Sequence, residues 1–300
     1  MLASPVISSS ILELIGKTPL VQLSRIAEPG AATVLAKLEH LNPAGSHKDR
    51  IAIRMIESAE ATGLLRPGNT VVATSCGSFA VALALVCRVR GYRLVAVLPD
   101  TVTTEHKEIL TAYGASLELT PAAEGIGRAL TKAAEIATSP GVVWLDQYDD
   151  AQNWRTHASG EGAELVAQAR EYAAAIDAVV MTLGTGGTLR GIEEAVRPHF
   201  PEALLVEITI QEEGWPDLAL RRSDSASFFI GDRRLEISAT AAWRMRERLG
   251  REEGLLVGMT SGANVEGALR IARELGPDKF VYTLCCDSGE RYFSLEGSMG

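Results

Sequence analysis

The strongest constraint on the fold is a regular alternation of short apolar segments with longer helical patterns. Thr33–Leu38 has the β-branched, continuously apolar character of a strand, and Ser46–Ala61 has the periodicity of a helix. The same pair recurs at Thr70–Thr74 and Phe79–Arg90. Strands that alternate with helices indicate parallel sheets with helices on both faces, and strands buried on both faces are apolar throughout. The sequence therefore predicts an α/β protein.

The alternation continues along most of the chain. It is interrupted at Gln211–Arg234, which is rich in Arg, Asp, Ser and Gly. We interpret this segment as a long loop, and loops of that length in compact domains are usually functional or mobile. After it, Ser238 predicts the cap of a helix that ends at Leu249. The further predicted strands are Leu94–Pro99, Ser116–Thr120, Val142–Leu145, Ala178–Thr182 and Lys279–Cys285, and the further helices are Glu105–Tyr113, Glu124–Thr138, Ala158–Ala175, Leu189–Val196 and Asn264–Glu274.

Length and charge narrow the classes of function. A chain of 300 residues that is 46% apolar is long enough for two domains, and its net charge of −9 argues against a nucleic-acid partner. The longest apolar stretch, Phe79–Cys87, falls far short of the roughly 20 residues that span a bilayer. Met1–Ser10 lacks the charge pattern of a secretory signal, and four cysteines make neither a disulfide framework nor a metal knuckle. We expect a cytoplasmic protein with no membrane partner and no metal.

A glycine-rich loop follows one of the predicted strands. Gly184, Thr185, Gly186, Gly187 and Thr188 lie between a strand and a helix, where ligands bind in open parallel sheets. Backbone N–H groups and hydroxyls at a helix N-terminus can hold phosphate oxygens. The spacing differs from those of the dinucleotide fingerprint and the P-loop. Alone, the loop is compatible with a phosphate site or with an ordinary turn.

A lysine stands in the first turn of another predicted helix. The helix dipole disfavours a cation there and lowers the pKa of an amine, which suits Lys48 to attack on a carbonyl. Taken alone, Lys48 is better explained as an exposed lysine paired with Asp49. A Schiff-base lysine combined with a phosphate loop, however, predicts pyridoxal 5′-phosphate as the cofactor.

Motifs along nearly the whole chain, in the same order, resemble the cysteine synthase (O-acetylserine sulfhydrylase) family. This family belongs to the fold type II pyridoxal-phosphate enzymes, which are tryptophan synthase β-like and include cystathionine β-synthase and the serine and threonine dehydratases. The motifs are Ile15–Leu20, Lys37–Glu39, Asn42–Arg50, Tyr113–Ala115, Asp146–Tyr148, Gly184–Thr188, Gly254–Ala263 and Asp287–Tyr292.

The resemblance implies two three-layer α/β domains with mostly parallel sheets and the cofactor in the cleft between them. The smaller, mobile domain would comprise residues 36–149, with the substrate carboxylate loop and the Schiff-base lysine. The larger domain would comprise residues 1–35 and 150–300, with the phosphate loop and the serine at the pyridine nitrogen. Homodimerisation is typical of the family, so we expect a homodimer.

The resemblance also implies roles for single residues. Lys48 would carry the internal aldimine and act as general base, and residues 184–188 would bind the cofactor phosphate. Ser288 would meet the pyridine nitrogen, and a neutral hydroxyl there favours β-elimination and β-replacement over transamination. Gly77 would lie beside the cofactor. Substrate would be bound by Thr74, Ser75, Cys76, Ser78 and Gln147.

The substrate loop departs from the family pattern Thr-Ser-Gly-Asn-Thr-Gly. Residues 74–79 carry Gly77 where the family has asparagine, together with Cys76 and Phe79. The loss of the asparagine removes a hydrogen bond of about 1 kcal/mol and is expected to open space beside the cofactor ring. His47 is either structural or a proton carrier. Arg221 and Arg222 either pair with an anionic substrate or are solvated.

Three functions remain open. The leading one is β-replacement on an activated serine, of the O-acetylserine or O-phosphoserine type, by sulfide, a thiol or another small nucleophile. It would give cysteine or a cysteine-like non-proteinogenic amino acid through an aminoacrylate. The alternatives are a β-eliminating lyase or dehydratase and a non-catalytic regulatory homologue. Retention of Lys48, the phosphate loop and Ser288 argues against the last, and the altered loop argues against housekeeping cysteine synthesis.

Overall fold

The computed structural model describes residues 7–75, 77–172, 174–211 and 231–295, which form two sheets. The smaller sheet has four parallel strands in the order β5-β4-β3-β6. One face packs against α1, α2 and α3, and the other face, through side chains such as Val72 and Val97, packs against α4. The elements are α1 (Lys48–Ala61), β3 (Thr70–Thr74), α2 (Ser78–Arg90), β4 (Arg93–Pro99), α3 (Thr104–Ala112), β5 (Ser116–Thr120), α4 (Gly125–Ala137) and β6 (Val142–Trp144).

The larger sheet has six strands in the order β1-β2-β10-β7-β8-β9, and only β1 runs antiparallel to its neighbour. Helices α8 and α9 cover one face, and α6 and α7 cover the other. A π-helical turn at Ala158–Gly162 joins α5 to α6. The elements are β1 (Leu20–Gln22), β2 (Thr33–Leu38), α5 (Gln152–His157), α6 (Ala163–Glu171), β7 (Ala178–Thr182), α7 (Gly187–Val196), β8 (Leu204–Gln211), β9 (Arg233–Ser238), α8 (Ala239–Arg248), α9 (Met259–Leu275) and β10 (Phe280–Cys285).

The predicted α/β class with parallel sheets is confirmed, and most predicted elements are present within a few residues. The predicted cap is present too, since Ser238 Oγ accepts a hydrogen bond from Ala241 N at 3.2 Å. Strand β8 was not predicted from the sequence. The start of β9 was expected inside a loop, because this edge strand carries Arg233 and Arg234, which pair with Glu274 and Glu207, in place of an apolar run. Residues 212–230, with Arg221 and Arg222, lie outside the described residues.

The proposed domain boundaries at residues 36 and 149 stay a prediction. Strand β2 spans the first boundary, and its partners β1 and β10 both belong to the six-stranded sheet. Helix α1, which follows, packs with α2 against the four-stranded sheet. The chain therefore passes from one sheet to the other between Leu38 and Lys48.

None of the described helices is both long enough and apolar enough to cross a membrane. Within the same residues, no group of three or more His, Cys, Asp or Glu side chains is placed to hold a metal ion.

Candidate active site

A cavity of about 200 Å³ lies where the two sheets face each other. Its walls come from the N-terminal ends of α1, α2, α7 and α9 and from the segments that follow β6 and β10. This is the edge at which open parallel sheets bind ligands. The cavity brings together eight residues that the sequence predicted for the site: Lys48, Ser75, Ser78, Gln147, Gly184, Thr185, Gly186 and Thr188.

Four other predicted residues stand next to the cavity wall. In the described part of the chain, Thr74, Gly77, Gly187 and Ser288 are buried but do not line the cavity. Thr74, Gly77 and Gly187 directly adjoin lining residues and help to fix them. Cys76 lies outside the described residues.

Lys48 is presented to the cavity by a tightly bonded turn. It is the first residue of α1, and its backbone N donates to Ser46 Oγ at 3.2 Å. Ser46 Oγ donates to Asp49, and the carboxylate of Asp49 also accepts from Ala44 N at 2.5 Å. Burial raises the pKa of Asp49 to about 7. The turn thus fixes the backbone from which the Lys48 side chain reaches the cavity.

His47 lines the cavity beside Lys48 and is uncharged. Its Nδ1 lies 3.2 Å from the carbonyl oxygen of Cys286, at the end of β10. Burial and the nearby charge of Lys48 lower the pKa of His47 to about 3. The neutral imidazole joins the turn before α1 to the larger sheet, which favours the structural interpretation of this histidine.

The glycine-rich loop has the geometry of an anion site. Gly186 caps α7 with a φ of +84°, a left-handed conformation that favours glycine. A Cβ at position 187 would lie 2.2 Å from Asn153 Oδ1, so this position also requires glycine. Asn153 Nδ2 donates to Thr185 Oγ1 at 2.8 Å. The start of α7 therefore offers backbone N–H groups and hydroxyls to an anion in the cavity.

Two buried residues stand behind this loop. His157 Nε2 is 3.2 Å from Thr188 Oγ1, and its Nδ1 is 2.5 Å from Glu161 Oε2 in the π-helical turn. Burial raises the pKa of Glu161 to about 8 and lowers that of His157 well below its usual range. Because the imidazole stays neutral, it orients the Thr188 hydroxyl without placing a charge behind the loop. Turns of π-helix are frequent at functional sites.

The start of α2 carries the predicted substrate loop. Ser75 Oγ accepts from Gly77 N at 3.0 Å and from Ala80 N at 3.2 Å, which caps the helix. Gln147 Nε2 donates to Thr74 O at 3.3 Å, so the amide must reorient to grip a carboxylate with that group. Ser78 Oγ donates to Asp287 Oδ2 at 2.9 Å.

The space expected to open at Gly77 is filled, which corrects the expectation from the sequence. A Cβ at position 77 would lie 2.6 Å from His106 Nε2, and Gly77 has a φ of +144°. His106 is buried and lines the cavity. The imidazole thus occupies room that a side chain at position 77 would need. Sequence reasoning missed His106 because no motif connects it with the substrate loop.

The hydrogen bonds of His106 define its tautomer. Thr103 Oγ1 donates its one hydrogen to Arg291 O at 2.8 Å, so His106 Nδ1 must donate to Thr103 Oγ1 at 2.5 Å. His106 Nε2 is then a bare acceptor, and it has no hydrogen-bond partner among the described residues. Burial and the charge of Arg291 lower the pKa of His106 to about 3.

Contact between Gly77 and His106 predicts a paired mutational effect. We expect Gly77→Ala to lower the free energy of unfolding by about 2 kcal/mol, because of the clash and the positive φ. Adding His106→Ala should recover part of that loss, with a coupling energy of about 1 kcal/mol in urea unfolding. Gly127→Ala is a matched control, since its Cβ has no neighbour within 4 Å. Strict additivity of the two changes would contradict the contact.

Two hydroxyl-bearing residues lie near the end of β10, where the pyridine nitrogen is expected. Ser288 is 8% exposed and bonds through its backbone N to Gly45 O at 3.2 Å. Thr260, in the first turn of α9, lines the cavity. That turn is anchored to β10 because Ser261 Oγ accepts from Cys286 N at 2.8 Å. Thr260 adds a hydroxyl-bearing residue to the cavity wall, and the role predicted for Ser288 stays a prediction.

Comparison with known proteins identifies close relatives. The family model described as pyridoxal-phosphate dependent enzyme matches residues 11–287. A cysteine synthase of Staphylococcus aureus (strain N315) is 36% identical over 297 residues, 95% of each chain. A probable cysteine synthase of Bacillus subtilis (strain 168) is 36% identical over 303 residues, 97% of each chain.

Solved structures agree over nearly the whole chain. An O-ureido-L-serine synthase in complex with O-ureido-L-serine superposes with a TM-score of 0.87 at 33% identity, covering 96% of this chain and 93% of the other. An O-acetylserine-dependent cystathionine β-synthase of Helicobacter pylori gives 0.86 at 27% identity, covering 97% and 98%. A hydrogen sulfide-producing enzyme of Fusobacterium nucleatum gives 0.85 at 27% identity, covering 96% and 100%.

Proposed function

The chain belongs to the pyridoxal-phosphate dependent enzymes, and from this membership we propose how its residues carry out β-replacement on an activated serine. The observation that carries the proposal is that Lys48 and the glycine-rich loop line one cavity. These are the two groups that a cofactor with an aldehyde and a phosphate requires. They come from α1 and from the start of α7, so each sheet contributes one of them.

The donors of the cavity fit pyridoxal phosphate. We assign the phosphate to Gly184–Thr188, where Gly184 borders open space and α7 presents its N-terminus. The amine of Lys48 would meet the aldehyde. For the ring nitrogen we propose Ser288, as the resemblance implies, with Thr260 on the cavity wall as a second candidate. When bound, the cofactor withdraws electrons from the amino acid, so that the α-proton and a β leaving group can be lost.

The chain's own residues then position the substrate and move the proton. Lys48, once released from the cofactor, takes the α-proton as a general base and later returns it. At the start of α2, the Ser75 hydroxyl offers a donor to the substrate carboxylate, and Gln147 stands beside it. Ser78, whose one hydroxyl hydrogen goes to Asp287, lines the same cavity. Burial of the cavity between the two sheets limits the access of water to the reacting β-carbon.

The leaving group proposed here is acetate. The relatives include cysteine synthases and an O-acetylserine-dependent cystathionine β-synthase, so O-acetylserine is the amino-acid substrate that we propose. Use of O-phosphoserine would draw on Arg221 and Arg222, which are outside the described residues. The product would be cysteine or a cysteine-like non-proteinogenic amino acid.

The visible absorption spectrum of the holoenzyme tests this function. We expect O-acetylserine to shift the cofactor band to longer wavelength with release of acetate, and a thiol to restore the original band. Decay of the shifted band with release of pyruvate, unaffected by thiols, would instead establish a β-eliminating lyase. Similarity to the hydrogen sulfide-producing enzyme of F. nucleatum supports the β-eliminating lyase as the second candidate function. A spectrum that O-acetylserine leaves unchanged would contradict the proposed substrate.

We also propose a homodimer that works in the cytoplasm. The dimer rests on the resemblance to the cysteine synthase family. The described cysteines, Cys87, Cys285 and Cys286, are all buried and unpaired, which supports a reducing compartment. Sedimentation equilibrium at micromolar concentration tests the dimer, and a mass of one chain would contradict it.

A further inference from the structure

We infer that Asp287 sets the charge preference of the enzyme for its second substrate, favouring a neutral or cationic nucleophile over an anionic one. The inference rests on the proposed function, since β-replacement brings a nucleophile into this cavity. The sequence analysis gave a role to Ser288 and none to its neighbour Asp287.

The charged side chains on the cavity wall act on any nucleophile that enters the cavity. Among the described residues that line the cavity, Lys48 and Asp287 are the ones with formal charges. His47 and His106 are held neutral by burial, which lowers the pKa of each to about 3. Burial likewise raises the pKa of the Cys286 thiol, which keeps it protonated. Once Lys48 is engaged with the cofactor, Asp287 is the charged side chain left to meet a nucleophile.

The carboxylate of Asp287 is fixed in position. It is 4% exposed, and its Oδ2 accepts from Ser78 Oγ at 2.9 Å and from Tyr292 OH at 2.6 Å. A Cβ at position 258 would lie 2.1 Å from Asp287 Oδ1, so Gly258 makes room for this oxygen. Two hydroxyls and one glycine therefore hold the group against the wall.

The other oxygen of this carboxylate lacks a donor. Asp287 Oδ1 is buried and has no hydrogen-bond partner in the described part of the molecule. Because this oxygen is closed off beside Gly258, the carboxylate acts on a nucleophile through its negative charge and not through a direct hydrogen bond.

A nearby cation lies behind the wall. Arg291 donates to Ser78 Oγ at 3.3 Å and to the carbonyl oxygen of Ala44, and it is 4% exposed. It is absent from the cavity lining among the described residues. Its guanidinium therefore supports the Ser78 hydroxyl from outside the cavity, while the carboxylate of Asp287 borders the cavity itself.

These contacts define the class of nucleophile. Like charges repel more strongly in a partly buried site than in water, so a carboxylate-bearing thiol is disfavoured near Asp287. An amine-bearing thiol is attracted instead. This charge preference depends on the charge of the substituent that the nucleophile carries next to its attacking atom.

Three thiols of similar size test the inference: 2-aminoethanethiol, 2-mercaptoethanol and mercaptoacetate. With O-acetylserine saturating, we expect kcat/KM of the wild type to be highest for the amine and lowest for the acid. Asp287→Asn should reduce the ratio of amine to acid at least about tenfold, and Asp287→Glu should retain it. Since the intrinsic reactivity of each thiol is the same for every variant, a change in ratio reports on residue 287.

Asp278→Asn is the matched control, because Asp278 is exposed at the opposite end of β10. An equal ratio in wild type and Asp287→Asn would overturn the inference. If the wild type consumes O-acetylserine with none of the thiols, the proposed function fails. The charge preference is then decided by calorimetric titration of the holoenzyme with guanidinium and with acetate. Guanidinium should bind wild type at least about tenfold more tightly than Asp287→Asn, and equal affinities would overturn the inference.

Discussion

Lys48→Ala abolishes β-replacement while leaving the fold intact: we expect kcat to fall at least about 1,000-fold. The amine is proposed to hold the cofactor and to carry the α-proton, so its loss removes both functions. The free energy of unfolding should change by less than about 1 kcal/mol, because Lys48 is the half-buried first residue of α1 and its backbone contacts remain. Stopped-flow turnover with O-acetylserine and a thiol, together with urea unfolding, measures both quantities.

Lys132→Ala serves as the control for this variant. Lys132 lies on α4, and its Nζ is 3.9 Å from Glu118 in a half-exposed pair. We expect this change to leave turnover and the visible cofactor band as they are in the wild type. Retention of β-replacement in Lys48→Ala would show that another group carries the proton.

Arg50→Leu is expected to be the most destabilising of these variants, lowering the free energy of unfolding by about 3–5 kcal/mol. Arg50 Nε and Nη2 donate to Glu39 at 2.8 Å each, and Nη1 and Nη2 donate to Glu164 at 2.7 and 2.9 Å. Glu39 is fully buried. Removing the guanidinium leaves this carboxylate without its cationic partner, which costs more than the pair itself contributes.

The same cluster predicts a change in acid stability. Burial opposes ionisation of Glu164, yet Arg50 and Lys37 lower its pKa to about 2. A carboxyl whose pKa is lower in the folded state stabilises the fold above its ordinary pKa of 4.5 and loses that contribution as the pH falls towards 2. Arg50→Leu should therefore flatten the decline in stability between pH 5 and 2.

Urea unfolding at a series of pH values measures both effects. Arg54→Leu is the control on the same helix, since the Arg54 side chain is 63% exposed and its pair with Glu57 is expected to contribute less than about 1 kcal/mol. A loss below 1 kcal/mol in Arg50→Leu would contradict the view that Arg50 neutralises the buried carboxylate of Glu39.

Local motifs accounted for the parts of the site that the sequence could predict. Lys48 and Gly184–Thr188 are recognisable because a lysine or a glycine run at a helix start has a meaning that depends on neighbours in sequence. His106 and Asn153 were not predicted because they matter through tertiary contacts. His106 contacts Gly77, and Asn153 contacts Gly187 and Thr185. No spacing in the chain signals such a contact.

Asp287 and Ser288, neighbours at the end of β10, differ in their position relative to the cavity. The motif Asp287–Tyr292 borders the cavity through its first and last residues, and the role of Ser288 stays a prediction. The short helical segment that follows β10 has no two-residue alternation to settle the direction of each side chain. Asp287 lines the cavity, and Ser288 turns towards the backbone of Gly45. Edge strand β9 escaped detection for a related reason, since its alternating burial includes charged residues.

The strand order of the larger sheet has a consequence for synthesis on the ribosome. Strand β10 lies between β2 and β7, so Val281 pairs with Val34 and with Ala178. The four-stranded sheet can form once residue 144 has left the exit tunnel, whereas β2 and β7 keep open edges until residue 285 follows. Unpaired edges are templates for aggregation. Premature termination late in translation would release chains in which the smaller sheet is complete and the larger sheet is still divided. Ribosome pausing would expose the same state on the ribosome. We expect chaperones to bind such chains, which would not be partly active enzymes.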